Sequence, residues 1–294
     1  MDQSLLLLIR LMDFSTRMWN RCLFLFVCIF ACGICSCNAL FPEAKQQTTV
    51  QSPLKPIVSS RDAIALEVYF IDRRIGDLLI GDSLWESLHS VSSIDVTTRN
   101  RLDSDGFRIG MSASRPPRPL QSLMNLSDEN DPTRRAEVKS YMVFSDHQTL
   151  VACRDIESGT QVQRIPLEGE SQSFVVNDGF TLFKIQVSRV EDGWAKLVVI
   201  PEIQHGQNSL KPTATDSSWT LSDRRQSVTL FEDRFSAELN VGEILVLGMT
   251  KDGQGKMASH FFHSDKSNGL ERLMMIRIAD IRTVNPQRVE PETF

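Results

Sequence analysis

The second half of the chain alternates apolar and polar residues in short runs, separated by turn-forming Gly, Asp and Asn. Alternation with a period of two is typical of strands that bury one face. Two such runs, at 180–190 and 194–203, flank Glu191-Asp-Gly193, which predicts a hairpin. The other predicted strands lie at 141–144, 149–153, 161–165, 227–231, 234–239, 244–249 and 270–282. This pattern predicts a mainly antiparallel β domain over 140–285, built as a sandwich or a barrel.

The segment before this domain mixes the two periodicities. A run rich in β-forming residues at 63–71 predicts a strand, and the alternating run at 107–111 predicts a second one. Between them, Leu84, Trp85 and Leu88 at helical spacing predict a helix at 82–89, and a second short helix is predicted at 96–102. The order strand, helix, helix, strand predicts a small α+β module over residues 62–125. The fold class is therefore α+β, with this small module followed by the antiparallel β domain.

Residues 126–139 are predicted to connect the two parts. Asp131-Pro132 is a favourable helix start, since Asp caps a helix and Pro is accepted at its first position. A two-turn helix over 133–139 is one interpretation, and an exposed loop is the other. The runs at 141–144 and 149–153 follow with a short turn between them, which predicts a hairpin.

The longest apolar run of the chain lies at 22–41 and holds five of its six cysteines. Arg17 and Arg21 precede the run, and a basic flank before an apolar core is the layout of an export signal. Residues 1–41 are therefore predicted to be a signal peptide or membrane anchor, residues 42–61 a flexible linker, and residues 286–294 a disordered tail. The basic residues on the amino side predict that the rest of the chain lies outside the cytosol.

Three interpretations of this segment stay open. Ile34-Cys-Ser-Cys37 fits the end of a bacterial lipoprotein signal, which makes Cys37 the candidate lipid-attachment residue, and a poorer fit ends at Cys32. Residues 22–41 are also long enough for a helical anchor across a hydrocarbon core about 30 Å thick. Cleavage and release is the third interpretation. All three predict the same topology, with the rest of the chain outside the cytosol, and a start at Met18 instead of Met1 would give a cleaner signal.

Composition narrows the possible partners. The formal net charge is −5, with 41% hydrophobic and 23% charged residues, which argues against a general nucleic-acid surface. After the export segment the chain has a single cysteine, Cys153, so no intramolecular disulfide is expected there. Because Cys153 ends an apolar run, we predict a packed core thiol and not a nucleophile.

Residues from about 170 to 285 resemble the carboxyl-terminal β domain of bacterial secretins, the outer-membrane pore subunits of secretion systems. The similar pieces are the strand that ends in Pro201-Glu-Ile203, the strand–turn–strand at 235–248 and the closing strand at 271–278. Met249 stands where secretins have a second glycine, and residues 251–268 are polar and lack proline. The resemblance implies a secretin-like domain, an envelope protein as partner, and possible oligomers.

Few residues suggest chemistry. His260-Phe-Phe-His263 has a spacing that would suit metal ligands on one face of a helix, but no HExxH or CxxC accompanies it. We therefore assign no catalytic, cofactor or metal site. The sequence predicts an exported, membrane-tethered, non-enzymatic envelope protein that acts in protein interaction or envelope assembly. A secretin-type pore or pore-associated subunit is the first alternative, and a metal-dependent hydrolase using His260 and His263 is the second.

Overall fold

The structure is a computed structural model that describes residues 61–128, 131–164, 170–214, 219–264 and 269–284. These residues belong to one compact unit, Val58–Phe294. The predicted export segment, nearly all of the linker and the tail lie outside the described residues.

Strands dominate the described part of the chain. They are β1 (Arg61–Arg74), β2 (Phe107–Ser112), β3 (Ala136–Phe144), β4 (His147–Ile156), β5 (Thr160–Arg164), β6 (Gln172–Val176), β7 (Gly179–Glu191), β8 (Trp194–Ala214), β9 (Trp219–Thr229), β10 (Phe235–Asn240), β11 (Ile244–Met249), β12 (His263–Ser264) and β13 (Leu270–Val284). Four short helices accompany them: α1 (Asp82–Glu86), α2 (Val96–Ser104), α3 (Arg118–Met124) and α4 (Met257–Phe262).

The strands form two main antiparallel sheets and a small hairpin. The first sheet has the order β2-β11-β13-β1-β3, with β12 beside β13. The second has the order β10-β8-β7-β4, and β9 also pairs with the long strand β8. Among the described residues, strands β5 and β6 pair only with each other. Every strand pair in these sheets is antiparallel, as the alternating pattern predicts.

The larger of two hydrophobic cores lies between the two sheets and makes the fold a sandwich. Alternate side chains of β1, from Ile64 to Phe70, enter this core together with those of β7, from Phe183 to Val187. Helix α4 adds Phe261 to the same core, where its ring centroid lies 5.1 Å from that of Phe183. A second core joins α1 and α3 to the outer face of the first sheet. The helices therefore form a third, partial layer.

Several predictions are confirmed and others are wrong. The antiparallel β-rich fold, the β7–β8 hairpin and the buried position of Cys153 are confirmed. The hairpin predicted for 141–144 and 149–153 is wrong, because β3 pairs with β1 and β4 pairs with β7. The chain crosses from one sheet to the other at Ser145 and Asp146, so the two strands enter the core from opposite sides. Asp146 takes a left-handed conformation at this crossing, with φ of 67°.

The segment predicted as a connector contributes to the first sheet. Neither the two-turn helix nor the exposed loop considered for 133–139 forms: a 3₁₀ turn covers Pro132–Arg134, and β3 begins at Ala136 because it pairs with β1. Strands β1 and β2 of the predicted α+β module both lie in the sheet that contains β11 and β13. The division at residues 126–139 therefore does not separate two sheets. Helix α4 is almost fully buried, although it lies within the polar stretch 251–268.

Candidate functional site

An open sheet edge is the feature of this fold that is best suited to binding. Strand β3 lies at the end of the first sheet and, within the described part of the chain, pairs along its length with β1 alone. Ser145 N donates to Asp62 O at 2.8 Å, while Ala136 N donates away from β1 to Leu126 O at 3.0 Å. Because backbone groups alternate in direction along an antiparallel strand, the even-numbered residues of β3 point away from β1.

The unpaired part of the β3 edge can be located from these two hydrogen bonds. Its start at Ala136 is closed by the segment around Leu126, since Asp128 N also donates to Arg134 O at 3.0 Å. The open stretch therefore runs from Val138 to Phe144, and four residues there direct their N–H and C=O groups outward. At about 3.3 Å per residue this stretch is roughly 20 Å long, enough for an added strand of average length.

The same residues carry an apolar row. Val138, Met142 and Phe144 are 48%, 52% and 40% exposed, and Ser140 is the polar residue between them. They occupy the outer face of the sheet, because Tyr141 and Val143 on the opposite face pack against the sandwich core. Exposed apolar side chains beside unpaired backbone groups are the combination that receives an additional strand.

The edges of β2, β10 and β4 are partly covered. On β2, Met111 exchanges two backbone hydrogen bonds with His89, at 2.8 and 2.9 Å. On β10, the carbonyl of Ser236 accepts from Ser93 Oγ at 2.8 Å. On β4, the carbonyl of Cys153 accepts from the Arg272 guanidinium. We call the Val138–Phe144 stretch, whose outward backbone groups have no partner among the described residues, the free edge.

A charged network closes the sandwich on the inner side of the free edge. Arg272 donates to both carboxylate oxygens of Asp72, at 2.8 and 2.7 Å, and Arg154 of the second sheet donates to the same carboxylate at 2.9 Å. Burial lowers the pKa of Arg154, while the hydrogen bonds and charge of Asp72 outweigh burial and raise the pKa of Arg272. Asp72 thus ties the two sheets together.

Two further charges limit what the free edge accepts. Lys139 and Glu137 lie on the inner face of β3 and form an ion pair at 3.1 Å. The Lys139 ammonium also lies 5.2 Å from the centroid of the Phe70 ring. A charge that points inward on an edge strand disfavours unselective strand pairing, so it protects against aggregation. The free edge is therefore apolar on one face and charged on the other.

The structure tests some of the residues that the sequence analysis considered for chemistry and not others. Cys37 lies outside the described residues, so lipid attachment stays a prediction. His260 and His263 do not share a helical face, because α4 ends at Phe262 and His263 continues in extended conformation. No cluster of three or more side chains suited to a metal ion occurs in the described ranges. Cys153 donates its thiol to Phe261 O at 3.2 Å, and burial raises its pKa to about 12.

Sequence reasoning missed the free edge. The run Ala136-Glu-Val-Lys-Ser-Tyr-Met-Val-Phe144 has apolar residues on both faces near its end, which is typical of a strand buried on both sides. The nearest available signal was Lys139, since a charge within an otherwise apolar run is typical of edge strands. In the described part of the chain, no helix is long and apolar enough to span a membrane.

Comparison with protein-family models gives no match, and neither does comparison with curated proteins. Among solved structures, the chain is similar to a protein in the cryo-EM structure of the ETEC pilotin–secretin complex AspS–GspD, with 12% sequence identity and a TM-score of 0.19. The match covers 77% of this chain and 48% of that chain, so the chain spans about half of the protein that it matches. A TM-score of this size does not establish a common fold.

Proposed function

We propose that this protein is an exported, membrane-tethered, non-enzymatic component of the bacterial envelope that binds another envelope protein by strand addition. The observation that carries the proposal is the free edge, where outward N–H and C=O groups lie beside the exposed row Val138, Met142 and Phe144. Export and tethering rest on the apolar segment at 22–41 and its basic flank. The non-enzymatic role rests on the lack of a recognisable catalytic motif in the sequence.

An added strand would pair with the even-numbered residues of β3. Each backbone hydrogen bond to them contributes about 0.5–1.5 kcal/mol net. Alternate side chains of the partner would lie beside Val138 and Met142 on the outer face, where β-branched or aromatic residues pack best. On the inner face the partner meets Glu137 and Lys139, which favours polar residues there. The proposed partner segment therefore alternates apolar and polar residues.

Cross-linking in the native envelope tests this proposal. A photo-reactive residue in place of Val138 is expected to capture a neighbouring envelope protein. Ser140→Pro removes only an outward N–H, so it blocks the free edge and leaves the β1–β3 ladder intact. We expect Ser140→Pro to abolish the cross-link and Ser140→Ala to retain it. A photo-reactive residue in place of the exposed Glu238 on β10 is the matched control.

Two outcomes would overturn the proposal. Cross-linking at position 138 that persists unchanged in Ser140→Pro would mean that the free edge is not the binding surface, and no product at position 138 would mean that it has no partner. A ladder of products that contain only this chain, together with detergent-resistant rings, would favour the secretin-type alternative.

The export part of the proposal needs its own test. Intact mass of the protein extracted from membranes is expected to show a shortened chain carrying lipid at Cys37, and Cys37→Ala should abolish that modification. A full-length unmodified mass would favour the helical anchor. Full-length protein in the cytosolic fraction would contradict export.

A further inference from the structure

A cavity of about 370 Å³ lies on the helix-covered side of the first sheet and shares no residue with the free edge. Its walls come from the loop between β1 and α1, from Trp85 on α1, from the end of β11, and from β12 and β13. Small-molecule sites typically occupy about 300–1,000 Å³ and combine apolar walls with a few convergent polar groups. This cavity has both features.

A preorganised cation forms one wall. The guanidinium of Arg108 lies over the Trp85 ring, 4.7 Å from its centroid, and its side chain is 30% exposed. The separation between Arg108 Nη1 and Asp82 Oδ1 is 3.7 Å, which is too long for a hydrogen bond. Lys251 pairs with the same Asp82 carboxylate. Two cations thus share one carboxylate, and the Arg108 fork keeps donors for an incoming anion.

The Trp85 ring itself is firmly held. Its Nε1 donates to Ile80 O at 3.2 Å. On the sheet side, a Cβ added at Gly248 would lie only 2.8 Å from Trp85 Cζ2, so the ring packs directly against the backbone of β11. The ring therefore offers the Arg108 guanidinium a fixed surface to stack on.

An acidic group faces the same cavity. Glu271 on β13 is the register partner of His263 on β12, and both line the cavity. Burial raises the pKa of Glu271, and attraction by His263 and Arg108 opposes that shift. Among the described residues, Glu271 forms no ion pair within 4.0 Å. A carboxylate and a guanidinium therefore face one cavity without contacting each other.

Apolar residues complete the cavity. Ile75 and Leu78 of the β1–α1 loop are 51% and 85% exposed at its mouth, while Ile80 and Met249 line it from buried positions. The cavity therefore offers an anion-binding group, a cation-binding group and an apolar wall.

We infer that this cavity binds a small zwitterion, namely an α-amino acid with an apolar side chain. The ligand carboxylate pairs with Arg108 and Lys251, its ammonium pairs with Glu271, and its side chain packs against Ile80 and Leu78. A purely anionic ligand would leave Glu271 desolvated without a partner, and a purely cationic ligand would leave the spare donors of Arg108 unused, so each is disfavoured.

Calorimetric titration of the purified full-length protein with three probes tests the inference. The probes are L-leucine, N-acetyl-L-leucine, which lacks the ammonium, and L-leucine amide, which lacks the carboxylate. We expect L-leucine to bind at least tenfold more tightly than either derivative. No binding of L-leucine at millimolar concentration, or equal binding of all three probes, would overturn the inference.

Variants at two positions, Glu271 and Arg108, assign the two ends of the ligand. Glu271→Gln is expected to weaken L-leucine binding at least tenfold and to leave the weak binding of N-acetyl-L-leucine unchanged. Arg108→Gln is expected to weaken L-leucine to the level of leucine amide, and Arg108→Lys, which retains the charge, should lose less. The exposed Glu238→Gln is the matched control, and circular dichroism checks that each variant is folded. Wild-type affinity in both Glu271→Gln and Arg108→Gln would overturn the inference.

Discussion

Replacement of Asp72 by Asn tests whether the charged network holds the sandwich closed. Asp72 accepts three charge-assisted hydrogen bonds, two from Arg272 in its own sheet and one from Arg154 in the opposite sheet, all between 2.7 and 2.9 Å. The side chains of the three residues are only 11–21% exposed. The Asn variant leaves two guanidinium groups partly buried without a countercharge, which is more costly than the loss of the hydrogen bonds alone.

The expected size of the effect follows from burial. Removal of one partner from a fully buried ion pair costs about 3–5 kcal/mol, and the remaining exposure places this network near the lower end, at about 3 kcal/mol. Urea unfolding, followed by circular dichroism, measures the change as a lower midpoint at an unchanged slope. Glu238→Gln removes an exposed carboxylate from the second sheet and serves as the control. A midpoint for Asp72→Asn that equals that of Glu238→Gln would refute the reasoning.

The remaining predictions concern stability, pH and reactivity. Burial, reinforced by the nearby Asp105 carboxylate, raises the pKa of Asp233 to about 8. Between these pH values the native state therefore holds a proton that the unfolded state has lost. The free energy of unfolding falls as pH rises from about 4 to about 8, and Asp233→Asn should flatten this part of the plot of urea midpoint against pH. Gly248→Ala forces its new methyl group against Trp85 and should cost about 1–3 kcal/mol in the same assay. At pH 8, Cys153 should resist alkylation by iodoacetamide in the native protein and react in urea. Site-specific mass spectrometry measures the labelling, and equal labelling in both states would contradict the burial of the thiol.

Local patterns determined which strands the sequence could predict. The β7–β8 hairpin was predictable because its alternation and its Asp-Gly turn are adjacent in the chain. The sheet to which each strand belongs was not predictable. Strands β3 and β4 are neighbours in sequence but lie in different sheets, because Val143 and Val151 enter one core from opposite sides. Helix α4 was missed because it buries nearly every side chain, so it has no polar face that would reveal a helical period.

The functional surfaces depend on contacts between distant parts of the chain. Val138 and Met142 look like core residues in the sequence, but they lie on the outer face of β3, which is left exposed at these positions among the described residues. The cavity likewise joins Arg108, Glu271 and the β1–α1 loop, which are far apart in sequence. The periodicity of a single segment cannot predict that these three parts of the chain lie close together.

Hydrogen exchange at the free edge tests the central claim most directly. Amides of Val138, Ser140 and Met142 point away from β1, so in the purified protein they should exchange rapidly, while those of Lys139 and Tyr141 should be protected by the ladder. In the complex isolated from native envelopes, the three outward amides should become protected as well. Rapid exchange of these amides in both samples would contradict strand addition at this edge.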